Sequence, residues 1–364
     1  MEEGREQLRR AVGLMSGTSL DGIDVAMIET DGVERVISGP SLTMPYPDLF
    51  RERLRSVLGG VGPVADVEAE LTRLHAAAVE ELFVHHPGTA VDIVGLHGHT
   101  ILHRPAERRT WQLGDGAQLA QQLGIDVVTD FRLADVAAGG EGAPLAPLFH
   151  AALAAGLPRP LAVLNLGGVG NVTWIGSGGI GGAGDILAFD TGPGNALIDD
   201  CVRRHTGAAA DIGGALAAAG HGSEAHVARF LERPFFARKP PKSLDRDDFH
   251  DAMPEGLSLE DGAATLTEMT AAAVAAARRH FPAAAREWLV SGGGRHNPAL
   301  MAALERRLGV PVRPVEAVGW NGDALEAQAF AYLAVRSVAG LPLSLPSTTG
   351  VPRPMPGGRQ FPGR

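Results

Sequence analysis

Five times along this chain a short apolar run stops at a cluster of glycines and small polar residues. Residues 11–14 run into SGTSLDG, 91–96 into HGHT, 161–166 into GGVGN, 186–189 into DTGPGN and 288–290 into SGGG. Apolar runs of this length bounded by glycine read as buried strands, and strand ends that open into glycine turns are where α/β proteins hold ligands. Between them, 64–85, 266–280 and 324–335 carry Ala, Leu and Glu at helical spacing, and Pro298 suits the first turn of a helix over 299–308. The alternation predicts an α/β protein. Its 364 residues exceed what one core usually supports. Two lobes are expected, 1–145 and 146–344, with 131–147 as the crossover. The Pro- and Gly-rich end (341–364) reads as a strap or a frayed end, with 345–364 packing back on the first lobe.

Composition narrows the class. Hydrophobic residues make up 45% and charged residues 20%, so the 48 glycines sit in a globular chain, not a low-complexity one. A net charge of −10 argues against a nucleic-acid surface. One cysteine, Cys201, cannot form an internal disulfide, which favours a reducing compartment. No signal peptide or 18-residue apolar span is evident, so a cytoplasmic protein with no membrane partner is expected.

The stretch GLMSGTSLDGIDVA (13–26) sets small polar residues between two apolar flanks. It reads as a hairpin with a polar tip or as a turn whose backbone approaches a ligand; glycine permits both. No GxxxxGK[ST] pattern occurs, and LGGVGN lacks the full GxGxxG spacing, so phosphate binding by amide-rich turns with a metal ion is what remains. In LHGHTILHRP, His97, His99 and His103 could bind a metal or, with no further ligand in zinc spacing, hydrogen-bond a polar substrate. In WQLGDGAQLA, Gln112 and Asp115 allow the same use, or Asp115 is simply a helix N-cap. In FDTGPGNALIDD, Asp190 ends an apolar run before a rigid turn, which suits a general base or a turn-forming carboxylate. SGGGRHN leaves room for a nucleoside, or is a plain strand-to-helix connection.

Taken together and in order, GLMSGTSLDGID, HGHTILHRP, TWQLGDGAQLA, DFRLADVAAGGEGAPLAPLFH, NLGGVGNVT, FDTGPGNALID, SGGGRHNPALM and GDALEAQAFAYLA resemble the anhydro-N-acetylmuramic acid kinases of bacterial cell-wall recycling. The resemblance implies a two-lobed actin/hexokinase/Hsp70-like (ribonuclease H-like) fold with a nucleotide cleft between lobes. It implies ATP-dependent cleavage of the 1,6-anhydro ring, giving N-acetylmuramic acid 6-phosphate and ADP, in a homodimer. By position it implies an ATP phosphate loop at Gly17, Thr18, Ser19, Leu20, Asp21, Gly22, Ile23 and Asp24. A second phosphate-side turn falls at Gly167, Gly168 and Asn171, and an adenosine-side turn at Gly292, Gly293 and Gly294. Asp190 falls at the catalytic aspartate. His97, Thr100, Asp115, Arg132, Asp135 and Glu326 fall in stretches that surround the sugar. Mg²⁺ is implied through water, with Asp21 or Asp24 as candidates. His99 stands where the family usually has Gln, and Val169-Gly170 where Ile-Ala is usual.

On this reading Asp190 takes a proton from water, the water attacks the anomeric carbon, and the freed oxygen attacks the γ-phosphate. The rivals are a kinase for an ordinary sugar, which needs no water, and a nucleotide-dependent binding protein with slow ATP turnover.

Overall fold

The computed structural model describes residues 8–17, 20–178, 184–245 and 248–363. Thr18 and Ser19 lie outside the described residues. In chain order the strands are β1 (Arg9–Ser16), β2 (Gly22–Thr30), β3 (Val36–Pro45), β4 (Ile93–Arg104), β5 (Arg109–Leu113), β6 (Val127–Thr129), β7 (Leu161–Leu166), β8 (Val169–Ile175), β9 (Ile186–Pro193), β10 (Trp288–Ser291), β11 (Val312–Pro314) and β12 (Arg359–Phe361). All five apolar runs of the sequence map onto such strands; the strands at 11–14, 161–166 and 288–290 end within two residues of the run, whereas β4 continues through HGHT to Arg104 and β9 through DTG to Pro193.

The chain divides into two compact units, Met1–Gly156 with Asp323–Arg364, and Leu157–Gly322. The expected boundaries at 145 and 344 are thereby corrected. Helices Pro147–Leu153 and Leu325–Val338 belong to the first unit, where the ring of Phe149 packs 5.6 Å from that of Tyr332. The crossover expected at 131–147 lies wholly within that unit.

Each unit is built on a mixed sheet, and the two sheets share one strand order. In the first it runs β3-β2-β1-β4-β6, with β12 beyond β6 and β5 beside β4. In the second it runs β9-β8-β7-β10-β11. Each is an antiparallel meander extended by two parallel strands on the side of its first strand. Parallel neighbours need crossovers, and helices supply them. Val64–His85 leads to β4 and Gly116–Leu123 to β6; Leu259–Ala277 leads to β10 and Pro298–Leu308 to β11. This doubled order is the ribonuclease H-like arrangement of actin- and hexokinase-like proteins.

Covered on both faces, the central strands are almost continuously apolar; Val12, Leu14, Ile23, Val25, Val94 and Leu96 are fully buried. Helix Leu325–Val338 rests directly on the first sheet. A Cβ on Gly13 would fall 1.7 Å from the Ala327 carbonyl oxygen, and one on Gly95 would fall 2.1 Å from that of Phe330, so only glycine admits the helix. The C-terminal segment is a strap: β12 pairs antiparallel with β6, and Asp126 accepts from Gly363 N at 2.8 Å. Among the described residues no helix is long and apolar enough to cross a membrane.

Candidate active site

In the first unit, β1 and β2 are joined by the turn the sequence singled out. Leu20 takes φ 59° and its N–H donates to the Gly17 carbonyl at 3.2 Å, closing the turn with the Leu20 side chain buried. Tyr46 braces it at both ends. Its backbone N–H donates to the Asp21 carbonyl at 3.0 Å, and its hydroxyl meets Ser16 Oγ, which in turn lies 2.8 Å from His99 Nδ1. Burial pushes the Tyr46 hydroxyl well above its ordinary value and His99 down to about 4. His99 is therefore neutral at pH 7, and the chain of hydroxyls carries no charge into the core.

Two members of the expected loop are strand residues. Gly22 and Ile23 pair with Pro45 and Met44 of β3; a Cβ on Gly22 would fall 2.4 Å from the Met44 carbonyl oxygen, and Ile23 is fully buried. Packing, not a ligand, explains both side chains. Asp24 accepts from Thr43 Oγ1 at 2.5 Å. Its carboxyl is raised by burial, which the Thr43 bond offsets in part, and raised further by Asp21 and Asp323.

Arg132 is the best-anchored of the expected sugar-side groups. His97 Nδ1 donates to the Gly98 carbonyl at 2.8 Å, which leaves Nε2 to accept from Arg132 Nε at 3.1 Å and Nη2 at 2.9 Å. Arg132 Nη1 donates to the Gly142 carbonyl at 2.7 Å, and the guanidinium lies 6.0 Å from the Phe330 ring centre. Burial lowers Arg132 to about 10, while Glu326 and Asp135 draw it back up. His97 is held well below its ordinary value by burial and by Arg132. Its lone pair is committed to Arg132, so His97 orients the cation and is not a metal ligand. Thr100 accepts from Gln112 Nε2 at 3.2 Å and stays half-buried.

Two expected sugar ligands do structural work. Asp115 is the N-cap of helix Gly116–Leu123, accepting from Ala117 N at 2.9 Å and Gln118 N at 3.0 Å. Asp135 is 2% exposed, and both its oxygens are used. Oδ1 accepts from Gly142 N at 2.7 Å; Oδ2 accepts from Thr349 Oγ1 at 2.6 Å and from Ser344 Oγ. It clamps the C-terminal strap to the 140–142 loop.

The second unit gathers its polar residues in one row at the end of its sheet. Ser291 of β10 pairs with Asn165 of β7, Asn165 with Asn171 of β8, and Asn171 with Asp190 of β9. Directly opposite residues share a face. A bulge follows the row directly: Asn171 pairs with Asp190 but Gly170 with Gly192, leaving Thr191 as the extra residue, whose Oγ1 donates to the Gly170 carbonyl at 3.0 Å. Such bulges re-aim a side chain, and here Asp190 emerges half-buried among apolar strand neighbours. Its Oδ2 accepts from Leu244 N at 2.8 Å.

Glycine turns close around this row. The Gly167 and Gly168 carbonyls accept from Asn195 N and Gly194 N, each at 2.8 Å, at the start of helix Ala196–Thr206, and Asn195 Nδ2 donates to the Leu166 carbonyl at 2.9 Å. A Cβ on Gly294 would fall 2.6 Å from Leu166 Cβ, so the 292–294 turn packs on the same residue. Yet a Cβ on Gly167 or Gly293 would meet nothing nearer than 3.8 Å and 3.9 Å. At these two positions packing within the chain does not explain the glycine.

The sequence motifs do not single out Tyr46, Asp323, Lys242 or Leu244. Only Lys242 left a signal, as one of two lysines in a chain of 32 basic residues.

A family model described as anhydro-N-acetylmuramic acid kinase matches residues 9–363. Proteins of that name from Paramagnetospirillum magneticum and Acidiphilium cryptum are 59% and 57% identical to the chain. They cover 96% of it and 98% and 97% of themselves. Among solved structures, component A of (R)-2-hydroxyglutaryl-CoA dehydratase from Acidaminococcus fermentans aligns with a TM-score of 0.48 at 14% identity, over 91% of this chain and 99% of its own.

Proposed function

The chain belongs to the anhydro-N-acetylmuramic acid kinase family, and on that premise we propose that it transfers the γ-phosphate of ATP to the 6-oxygen of 1,6-anhydro-N-acetylmuramic acid as water opens the anhydro ring. The observation that carries this is the row Ser291–Asn165–Asn171–Asp190 between glycine turns that leave Gly167 and Gly293 open. Such a row offers one carboxylate at a strand end beside turns that phosphate oxygens can approach.

Asp190 acts as the general base. It takes a proton from water while the water oxygen bonds to the anomeric carbon, the bond from that carbon to the 6-oxygen breaks, and the 6-oxygen bonds to the γ-phosphorus as ADP leaves. The Leu244 amide on Oδ2 fixes the carboxylate for this task. Arg132, locked by His97 and the Gly142 carbonyl, supplies an oriented cation for an anionic oxygen of the substrates.

Mg²⁺ fits the acidic group Asp21, Asp24 and Asp323; Asp24 is raised chiefly by burial and further by the other two carboxylates, whose charge a cation would offset. Among the described residues no three such side chains stand close enough to ligate a metal directly, so these carboxylates would hold the ion through water. When bound, the ion neutralises charge on the phosphates. A homodimer working in the cytoplasm is part of this reading.

The test is ADP release with a sugar panel that includes intact anhydro sugar, and with Asp190→Asn. The anhydro sugar alone should elicit full turnover and yield a 6-phosphate. Asp190→Asn should lower kcat by about a hundredfold or more while ATP still binds. Equal turnover with ordinary hexoses, or a nearly fully active Asp190→Asn, would overturn the proposal.

A further inference from the structure

Of the 32 basic residues only Lys239 and Lys242 are lysines, and Lys242 occupies a place where charge is hard to keep. It is 4% exposed. Its Nζ donates to the Phe235 carbonyl at 3.1 Å and stands 4.2 Å from the Phe235 ring centre and 5.6 Å from that of Phe189. One carbonyl and two ring faces satisfy a compact ammonium. They would leave a guanidinium, with its five donors in a rigid fork, largely unsatisfied. In a chain that otherwise uses arginine almost throughout, the site selects a point charge.

The same residue touches the proposed base through its backbone. Asp190 N donates to the Lys242 carbonyl at 3.0 Å, and two residues on, Leu244 N donates to Asp190 Oδ2 at 2.8 Å. Phe189, under the ammonium, immediately precedes Asp190 in β9. Segment 242–244 is thus fastened to β9 by backbone bonds, and by a cation lying over the ring next to the carboxylate.

We propose that Lys242 is a positioning residue for Asp190: it seats segment 242–244 on β9 so that the Leu244 amide aims the carboxylate, and its charge holds that carboxylate ionised. This rests on the reading of Asp190 as the base. The charged and titratable groups facing Lys242 are Arg238 beyond helix Pro234–Ala237, Arg279 and His280 from the turn Arg278–His280, and Asp190 from β9. Burial, then Arg238 and Arg279, bring the ammonium down to about 8, against the attraction of Asp190.

Lys242→Met tests this, because methionine nearly matches the stem and brings no charge to satisfy. A purely structural lysine would leave kcat and its pH dependence intact in a variant that folds. We expect the full-length variant to melt at or above the parent and to lose about tenfold or more in kcat, with KM for ATP within about twofold. The acid limb of its kcat/KM profile should move up by about half a pH unit or more, since removing a nearby cation raises a carboxylate. The parent's loss of kcat above about pH 8, as the ammonium deprotonates, should be absent. Should Lys242→Met not fold, Lys242→Gln, whose amide can reach the Phe235 carbonyl, is read the same way. Parent kcat and an unmoved acid limb, with Asp190→Asn inactive, would overturn this proposal alone. An active Asp190→Asn would overturn the base assignment and this proposal with it.

Discussion

Asp135 separates what the family pattern implies from what this fold does with the residue. Its position suggests a contact with sugar, yet its two oxygens accept from Gly142 N, Thr349 Oγ1 and Ser344 Oγ in a site that is 2% exposed. Asp135→Ala deletes three hydrogen bonds to a charged acceptor and strands a buried backbone N–H. Hydrogen bonds to charged groups are each worth about 1.5–3 kcal/mol, and after partial relaxation around alanine the loss should be about 4 kcal/mol or more. For a unit of this size each kcal/mol moves the melting temperature by about 2–4 °C, so a drop of about 8–16 °C is expected. Asp135→Asn keeps the shape and can still accept from two hydroxyls, and should lose about half as much. The assay is thermal and urea unfolding of the full chain, with sugar KM measured below the transition. Below its transition, the folded Asp135→Asn variant should keep the parent's KM for sugar. An unchanged melting temperature with a steep rise in sugar KM would refute the clamp and restore the direct contact.

Two further perturbations follow from the same geometry. Gly293→Val points into open space and should fold normally while raising KM for ATP about tenfold or more, whereas Gly22→Val drives into the Met44 carbonyl and should fold poorly; the reverse pattern in melting and ATP titrations would undo the assignment of the two glycines. Buried His75, His99 and His150 are lowered to about 4, and His97 well below its ordinary value, chiefly by burial. The unfolded chain therefore takes up protons first. Stability should be full above pH 6.5 and fall from there toward about pH 4, by about 1.4 kcal/mol per pH unit for each histidine fully protonated only in the unfolded state; urea midpoints that stay flat from pH 7.5 to 5 would contradict this.

Much of the architecture could be read before any coordinates, because apolar runs and glycine punctuation are local signals. The runs that end at Leu14, Leu96, Leu166, Phe189 and Val290 all became strands, and 64–85 became one helix with those limits. Asp190 and the glycine turns could be singled out for the same reason. The duplication of the sheet could not, since the two units share a strand order but no residues that mark it. Nor could the split at 156 and 322, which depends on helix Leu325–Val338 returning to the first sheet.

Local chemistry also leaves the role of a carboxylate open. A carboxylate in a polar motif looks the same whether it meets substrate or caps a helix, and Asp115 and Asp135 took the structural role. Gly22 and Ile23 lie in the motif, yet their surroundings come from β3, which the motif does not contain. The partners that matter are distant along the chain: Ser16 meets Tyr46 thirty residues on, Asp190 meets Leu244 at a separation of 54, and Asp135 meets Thr349 at 214.

By itself the sequence determined which apolar runs are strands, where glycine clusters fall and which carboxylate follows an apolar run, because strand, turn and cap preferences act over a few neighbouring residues. Only the tertiary structure decided that Asn165, Asn171 and Asp190 stand in one row, that His97 serves Arg132, and that Lys242 lies against the ring before the proposed base. Those meetings are set by sheet register and by segments that return from far along the chain, and a one-residue slip in register would send each side chain to the opposite face.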